Sequence, residues 1–164
     1  MSRPQALVVC IGNELVADDA VGYQVYQRLQ TLELPSATRL EYCGVGGVAL
    51  LELLREEDQQ LIVVDALQLG APAGTVHCLA WDQLPPQQSA AVSAHGIGLR
   101  EALAIGRLLY PERLPERVLL IGIEGCSFDQ LGGAMTPAVA AALPLVVTAV
   151  QRALDQQEWK GVAP

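Results

Sequence analysis

Two carboxylates stand side by side in Gly12-Asn13-Glu14-Leu15-Val16-Ala17-Asp18-Asp19-Ala20-Val21-Gly22, directly behind an apolar run at 6–11. A second apolar run, Leu61-Ile62-Val63-Val64, ends in Asp65, and Ser93-Ala94-His95-Gly96-Ile97-Gly98 leads into an amphipathic stretch. Carboxylates and imidazoles are the side chains that hold divalent cations or move protons. Each of these also has a plain structural reading. Acidic residues in the first turn of a helix gain about 0.3–1 kcal/mol from the helix dipole. An Asp can end a strand or cap the next helix, and a loop His commonly bonds to backbone.

The elements that would position these residues follow from hydrophobic period and turn chemistry. Strands are expected near 6–11, 38–43, 60–65, 73–79 and 117–123, with helices near 19–31, 46–56, 97–108 and 136–155. In the first helix Asp18 reads as the N-cap, Asp19 lies in the first turn, and Val21, Val25 and Leu29 share a face. Gly12 allows a tight strand-to-helix turn and Gly22 close packing of that helix on the sheet. Asn13 can bond the turn or a ligand's backbone. Alternation of strands and helices predicts an α/β fold: a three-layer αβα sandwich around a twisted, mostly parallel five-stranded sheet. Pro72 and Gly74 place the fourth strand at an edge, antiparallel to its neighbour. Thr136 should cap the last helix with Pro137 as its first residue, and Pro144 should kink or interrupt it. Residues 81–94, with Pro85-Pro86 and Gln87-Gln88, read as a surface loop, and 156–164 as a frayed tail carrying Trp159.

A length of 164 residues fits one domain, and no linker or repeat divides it. A net charge of −8, with its ten basic residues scattered, excludes a phosphate-tracking stripe and hence a nucleic-acid partner. The apolar stretches are interrupted before the roughly 20 residues that a membrane span needs. With no signal-peptide core at the start of this sequence, a cytoplasmic location is the expectation. Cys10, Cys43, Cys78 and Cys126 lack C-x-x-C spacing and adjoin strands, where a free Cys acts as a small hydrophobe. His77, inside a strand beside Cys78, is assigned a structural or surface role. Dinucleotide and Walker fingerprints are absent, as is the G-x-S-x-G elbow that would make Ser93 a nucleophile.

Taken together, the opening segment, Asp65 and His95 resemble the hydrogenase maturation endopeptidases, over nearly the whole chain. The resemblance rests on G-N-x-L-x-x-D-D/E-x-x-G at residues 12–22, the Asp ending a later strand and the His of a following loop. It implies that Asp19, Asp65 and His95 are the metal-binding and catalytic positions. It further implies an aspartyl-type or metal-dependent endopeptidase that removes the C-terminal extension of a nickel-loaded, nickel-iron (NiFe) hydrogenase large-subunit precursor. Nickel would arrive with that precursor; two carboxylates and an imidazole also suit zinc or another divalent metal. All three positions follow strand or loop ends, so they can converge where ligands bind a doubly wound sheet. The family often carries an acidic residue and a Gly-Gly-Thr-like turn around Tyr42-Cys43-Gly44-Val45; here the acid and the Thr are missing, and Ala20 replaces a frequent Gly. The loop departure bears on substrate choice, whereas alanine in place of glycine at position 20 is readily accepted inside a helix.

Two mechanisms stay open within the enzyme reading. The metal can polarise the scissile carbonyl, or Asp19 or Asp65 can act as general base while the metal positions the substrate. A non-enzymatic nickel-binding or chaperone module would use the same residues. A flavodoxin-like binding domain is disfavoured by acidic residues where an anion would sit.

Overall fold

The computed structural model describes residues 5–44, 46–83 and 98–156. Strands β1 (Gln5–Ile11), β2 (Thr38–Cys43), β3 (Asp58–Leu67), β4 (Val76–Ala80) and β5 (Arg117–Glu124) form one sheet in the order β2-β1-β3-β5-β4. Only β4 runs antiparallel, at the edge beside β5. Helices α1 (Val21–Gln30), α2 (Leu99–Leu109) and α3 (Pro137–Asp155) complete the layers.

Alternation along the central strands divides the core in two. Val8 and Cys10, Ile62 and Val64, and Leu119, Ile121 and Ile123 meet Val21, Val25 and Leu29 of α1 and the apolar face of α3. Their neighbours Leu7, Val9, Leu61, Val63, Val118 and Leu120 meet Leu103 of α2 and Leu50, Leu51 and Leu54 from the β2–β3 connection. Strands buried on both faces read as continuous apolar runs, which is why β1, β3 and β5 are so legible in the sequence.

Four local expectations are corrected. The segment expected to be a helix at 46–56 is a 3-10 helix over Gly47–Leu53. Because β3 begins at Asp58, the connection is short, and the tighter winding suffices to bury Leu50 and Leu51. Strand β4 starts at Val76 rather than 73: Thr75 N–H and Thr75 Oγ1 both bond to Pro72 O, at 3.1 and 2.6 Å, in a turn that Gly74 passes at φ 88. Helix α3 continues unbroken through Pro144. Pro144 and Ala140, the residue whose carbonyl loses its partner, are both exposed, so water can satisfy that carbonyl. The fourth correction concerns Asp18 and is given with the site. By length and composition α3 could cross a membrane, but Val139, Leu143, Val146 and Val150 are buried against the sheet.

Gly22 permits the closest approach in the molecule's first βα unit. A Cβ there would lie 1.9 Å from Ile11 O, and one at Gly12 would lie 2.1 Å from Asp19 O. Both obstacles are backbone and cannot rotate away. Gly22→Ala is therefore expected to cost about 3 kcal/mol, a fall of roughly 6–12 °C in Tm for a chain of this size. Thermal unfolding of the variant checks this, and a loss below 2 °C would contradict the close packing.

Candidate functional site

The chain leaves β1 for α1 and β2 on one side of the sheet, then crosses back so that β3 lies on the other side of β1. Order reverses between β1 and β3, and their C-terminal ends therefore flank a switch-point crevice of the kind that receives ligands in open α/β sheets. Register aligns Cys10 with Val64, so Asp65 and the turn that follows Ile11 emerge at nearly the same level. Asp65 occupies the sheet position where the Leu61, Val63 alternation reaches the crevice.

Between β1 and α1 the chain makes a Gly12-Asn13 turn and a 3-10 turn over Ala17–Ala20. Asn13 Oδ1 accepts from Leu15 N at 3.0 Å, which assigns Asn13 the turn role. Asn13 N donates to Asp19 Oδ2 at 3.0 Å. Tyr42, from the end of β2, donates its hydroxyl to Gly12 O at 2.6 Å and so braces the turn from the neighbouring strand. Burial, and then the negative charge of Glu14, push the Tyr42 phenol above its ordinary range, with a smaller contribution from Asp19. The region around the turn is electronegative.

Asp19 and Asp65 are both buried. Asp65 Oδ1 accepts from Ala66 N at 2.8 Å. Burying Asp19, in the 3-10 turn after β1, and Asp65, two residues before the end of β3, is costly unless hydrogen bonds or a cation offset it. Among the described residues no three His, Cys, Asp or Glu side chains are gathered closely enough to hold a metal. His95, the third position expected from the sequence, lies outside the described residues, as do Ser93, most of the predicted 81–94 loop, and 157–164 with Trp159.

Asp18 is the residue whose role the sequence reading missed. It does not cap a helix: Val16 holds the N-cap position of the 3-10 turn, without a side-chain cap. Instead the fully buried Asp18 carboxylate reaches the loop between β5 and α3. Its Oδ2 accepts from Cys126 N and Ser127 N, each at 2.9 Å, and from Thr136 Oγ1 at 2.7 Å, while Oδ1 accepts from Thr136 N at 2.7 Å. Asp18 N returns a bond to Ser127 O at 2.9 Å. Burial alone would raise the Asp18 pKa, but donors at Cys126, Thr136 and Ser127 outweigh it and hold the carboxyl below its ordinary value. Thr136 does occupy the N-cap position of α3, with Pro137 next, but its hydroxyl serves Asp18 instead of the helix.

A second buried acid, Glu124, is structural. Its Oε1 accepts from Leu69 N and Gly70 N at 2.7 and 2.8 Å, and its Oε2 lies 3.0 Å from His77 Nε2. The pair ties the β3–β4 loop to β5, in keeping with the structural role expected for His77. Cys10 is buried, which pushes its thiol up to about 12 and makes it inert as a nucleophile. Cys126 alone among the four is exposed, its Sγ 3.2 Å from Thr136 Oγ1.

Two cavities, of about 470 and 490 Å³, lie at the opposite end of the sheet, around Gln60, Glu116 and Arg117. Both are lined by mixed charges and are remote from Asp19 and Asp65.

Residues 24–154 match the family model described as hydrogenase maturation protease. The chain is 34% identical over 152 residues to the hydrogenase expression/formation protein HupD of Rhodobacter capsulatus, covering 92% of this chain and 71% of that protein. It is 30% identical over 153 residues to the hydrogenase 2 maturation protease of Escherichia coli K12, covering 92% and 90%. Among solved structures, the hydrogenase maturating endopeptidase HybD from E. coli superposes with a TM-score of 0.79 at 26% identity, over 92% of each chain.

Proposed function

The chain belongs to the hydrogenase maturation protease family, whose members are peptidases, and from that premise we propose that it removes the C-terminal extension of a nickel-loaded, nickel-iron hydrogenase large-subunit precursor. The observation that carries this reading is the burial of Asp19, in the 3-10 turn that follows β1, and of Asp65, within the last residues of the neighbouring strand β3, on either side of the switch point. Carboxylates from Asp19 and Asp65, together with the imidazole that the sequence resemblance assigns to His95, would be the donors for the nickel that the precursor brings. Nickel bound there can polarise a carbonyl or acidify water. Asp19 and Asp65 position that cargo so that the peptide beside it lies across the crevice, and either carboxylate can accept a proton from the attacking water.

Intact mass of a large-subunit precursor, incubated with this protein with and without prior nickel loading, tests the proposal. Loss of one C-terminal peptide from the loaded form alone is the expected result. Complex formation with unchanged mass would replace the peptidase with a nickel-dependent chaperone. Cleavage of both forms would remove nickel from the recognition step.

A further inference from the structure

One peptide unit links Tyr42 to the Asp19 carboxylate. The carbonyl oxygen of the Gly12–Asn13 peptide accepts the Tyr42 hydroxyl at 2.6 Å. The N–H of the same peptide, on Asn13, donates to Asp19 Oδ2 at 3.0 Å. A trans peptide is planar, with its C=O and N–H pointing in opposite directions, so a contact that fixes one also fixes the other. Gly12, at φ 150, has no Cβ to restrict rotation of this plane, and its orientation falls to its hydrogen bonds.

The Tyr42 ring is itself held. Register sets Tyr42 beside Cys10 near the end of β1. Its ring packs edge-on against Tyr23 of α1, with centroids 5.3 Å apart, and against Tyr26 at 5.7 Å. The next residue of β2 supplies a second anchor, because Cys43 O accepts from Gly12 N at 3.3 Å. Residues 42 and 43 thus hold the peptides on both sides of Gly12. Hydrogen bonds in a chain polarise one another, so the Tyr42 donor also strengthens Asn13 N–H as a donor to the carboxylate.

We propose that Tyr42 is a positioning residue for the Asp19 carboxylate, acting through the Gly12–Asn13 peptide without touching substrate. Its effect on the reaction rests on Asp19 serving the peptidase site proposed above. A reacting group misplaced by about 1 Å can cost about 10²-fold in rate, and loss of one restraint among several on Asp19 is expected to cost less. Tyr42→Phe keeps the ring and its contacts with Tyr23 and Tyr26 and removes the hydroxyl alone.

With the nickel-loaded precursor the Tyr42→Phe protein is expected to lose about tenfold in kcat, with KM within about twofold of wild type and Tm within about 4 °C. In the Asp19→Asn background the same substitution should change kcat by less than about twofold, because the carboxylate it orients is already gone. An equal loss in both backgrounds, or an unchanged kcat in the wild-type background, would overturn the proposal. A second readout needs no substrate: the Asn13 amide proton should move upfield in the NMR spectrum of Tyr42→Phe and exchange faster with solvent than in wild type. If the wild-type protein binds the precursor without cutting it, that change would keep the coupling while the peptidase reading falls. An Asn13 amide that neither moves nor exchanges faster would overturn the coupling whatever the activity.

Discussion

Asp19→Asn and Asp65→Asn proteins are each expected to cleave a nickel-loaded precursor about 10²–10⁴-fold more slowly than wild type, at nearly unchanged stability. Asparagine preserves the shape and an amide oxygen. The bonds from Asn13 N to Asp19 Oδ2 and from Ala66 N to Asp65 Oδ1 can therefore survive, limiting the stability change to about 1 kcal/mol. What is lost is the negative charge that balances a cation or accepts a proton. Initial cleavage rates by intact mass, set beside thermal unfolding of each variant, separate the two effects. A variant that no longer forms the complex with the loaded precursor marks its carboxylate as a nickel ligand. One that forms the complex normally and fails in kcat marks it as the base. Full activity in both variants would overturn the site.

Legibility in the sequence followed burial. Strands β1, β3 and β5 are sandwiched between layers and appear as unbroken apolar runs, and α1 shows its Val21, Val25, Leu29 face at helical spacing. The antiparallel edge strand was signalled by Pro72 and Gly74, although the Pro72–Thr75 turn delays its start. Helical spacing of apolar residues at 46–56 was misleading, because Leu50 and Leu51 can be buried as well by a 3-10 helix as by an α-helix, and connection length decides between them. Pro144 does not interrupt α3, because exposure, which periodicity does not report, determines whether the lost hydrogen bond matters.

Asp19 and Asp65 were singled out by the resemblance of their local sequences to the family motif, since position behind an apolar run is equally the mark of a helix start or a strand end. Asp18 could not be, since its partners Cys126, Ser127 and Thr136 are more than a hundred residues away. The same pattern that marks a helix N-cap, an Asp just before a helical face, was satisfied by a distant loop. The Glu124–His77 contact was hidden for the same reason, being made across an antiparallel pair. Side-chain roles set by tertiary contact leave little trace in spacing.

Asp18 accordingly carries the second large effect, and its variants separate charge from shape. Asp18→Ala removes the acceptor of four bonds and leaves Cys126 N, Ser127 N, Thr136 N and the Thr136 hydroxyl to find other partners, a loss of about 3–5 kcal/mol. Asp18→Asn should cost less, about 1–3 kcal/mol, because an amide oxygen in the Oδ2 position keeps three acceptances and only Thr136 N faces a competing donor. A folded-state pKa below the unfolded one means that the ionised carboxylate stabilises the protein above the unfolded value and stops doing so as pH falls through the lower folded value. The stability gap between wild type and the D18N variant is therefore expected to be constant near neutrality. It should begin to narrow below about pH 4 and close once the native carboxyl is protonated, when acid and amide present the same single acceptor. Denaturant unfolding of both proteins across this range reads the gap directly. A gap that keeps its full size at the acid end would mean that size and shape at position 18, and not charge, hold the two loops together.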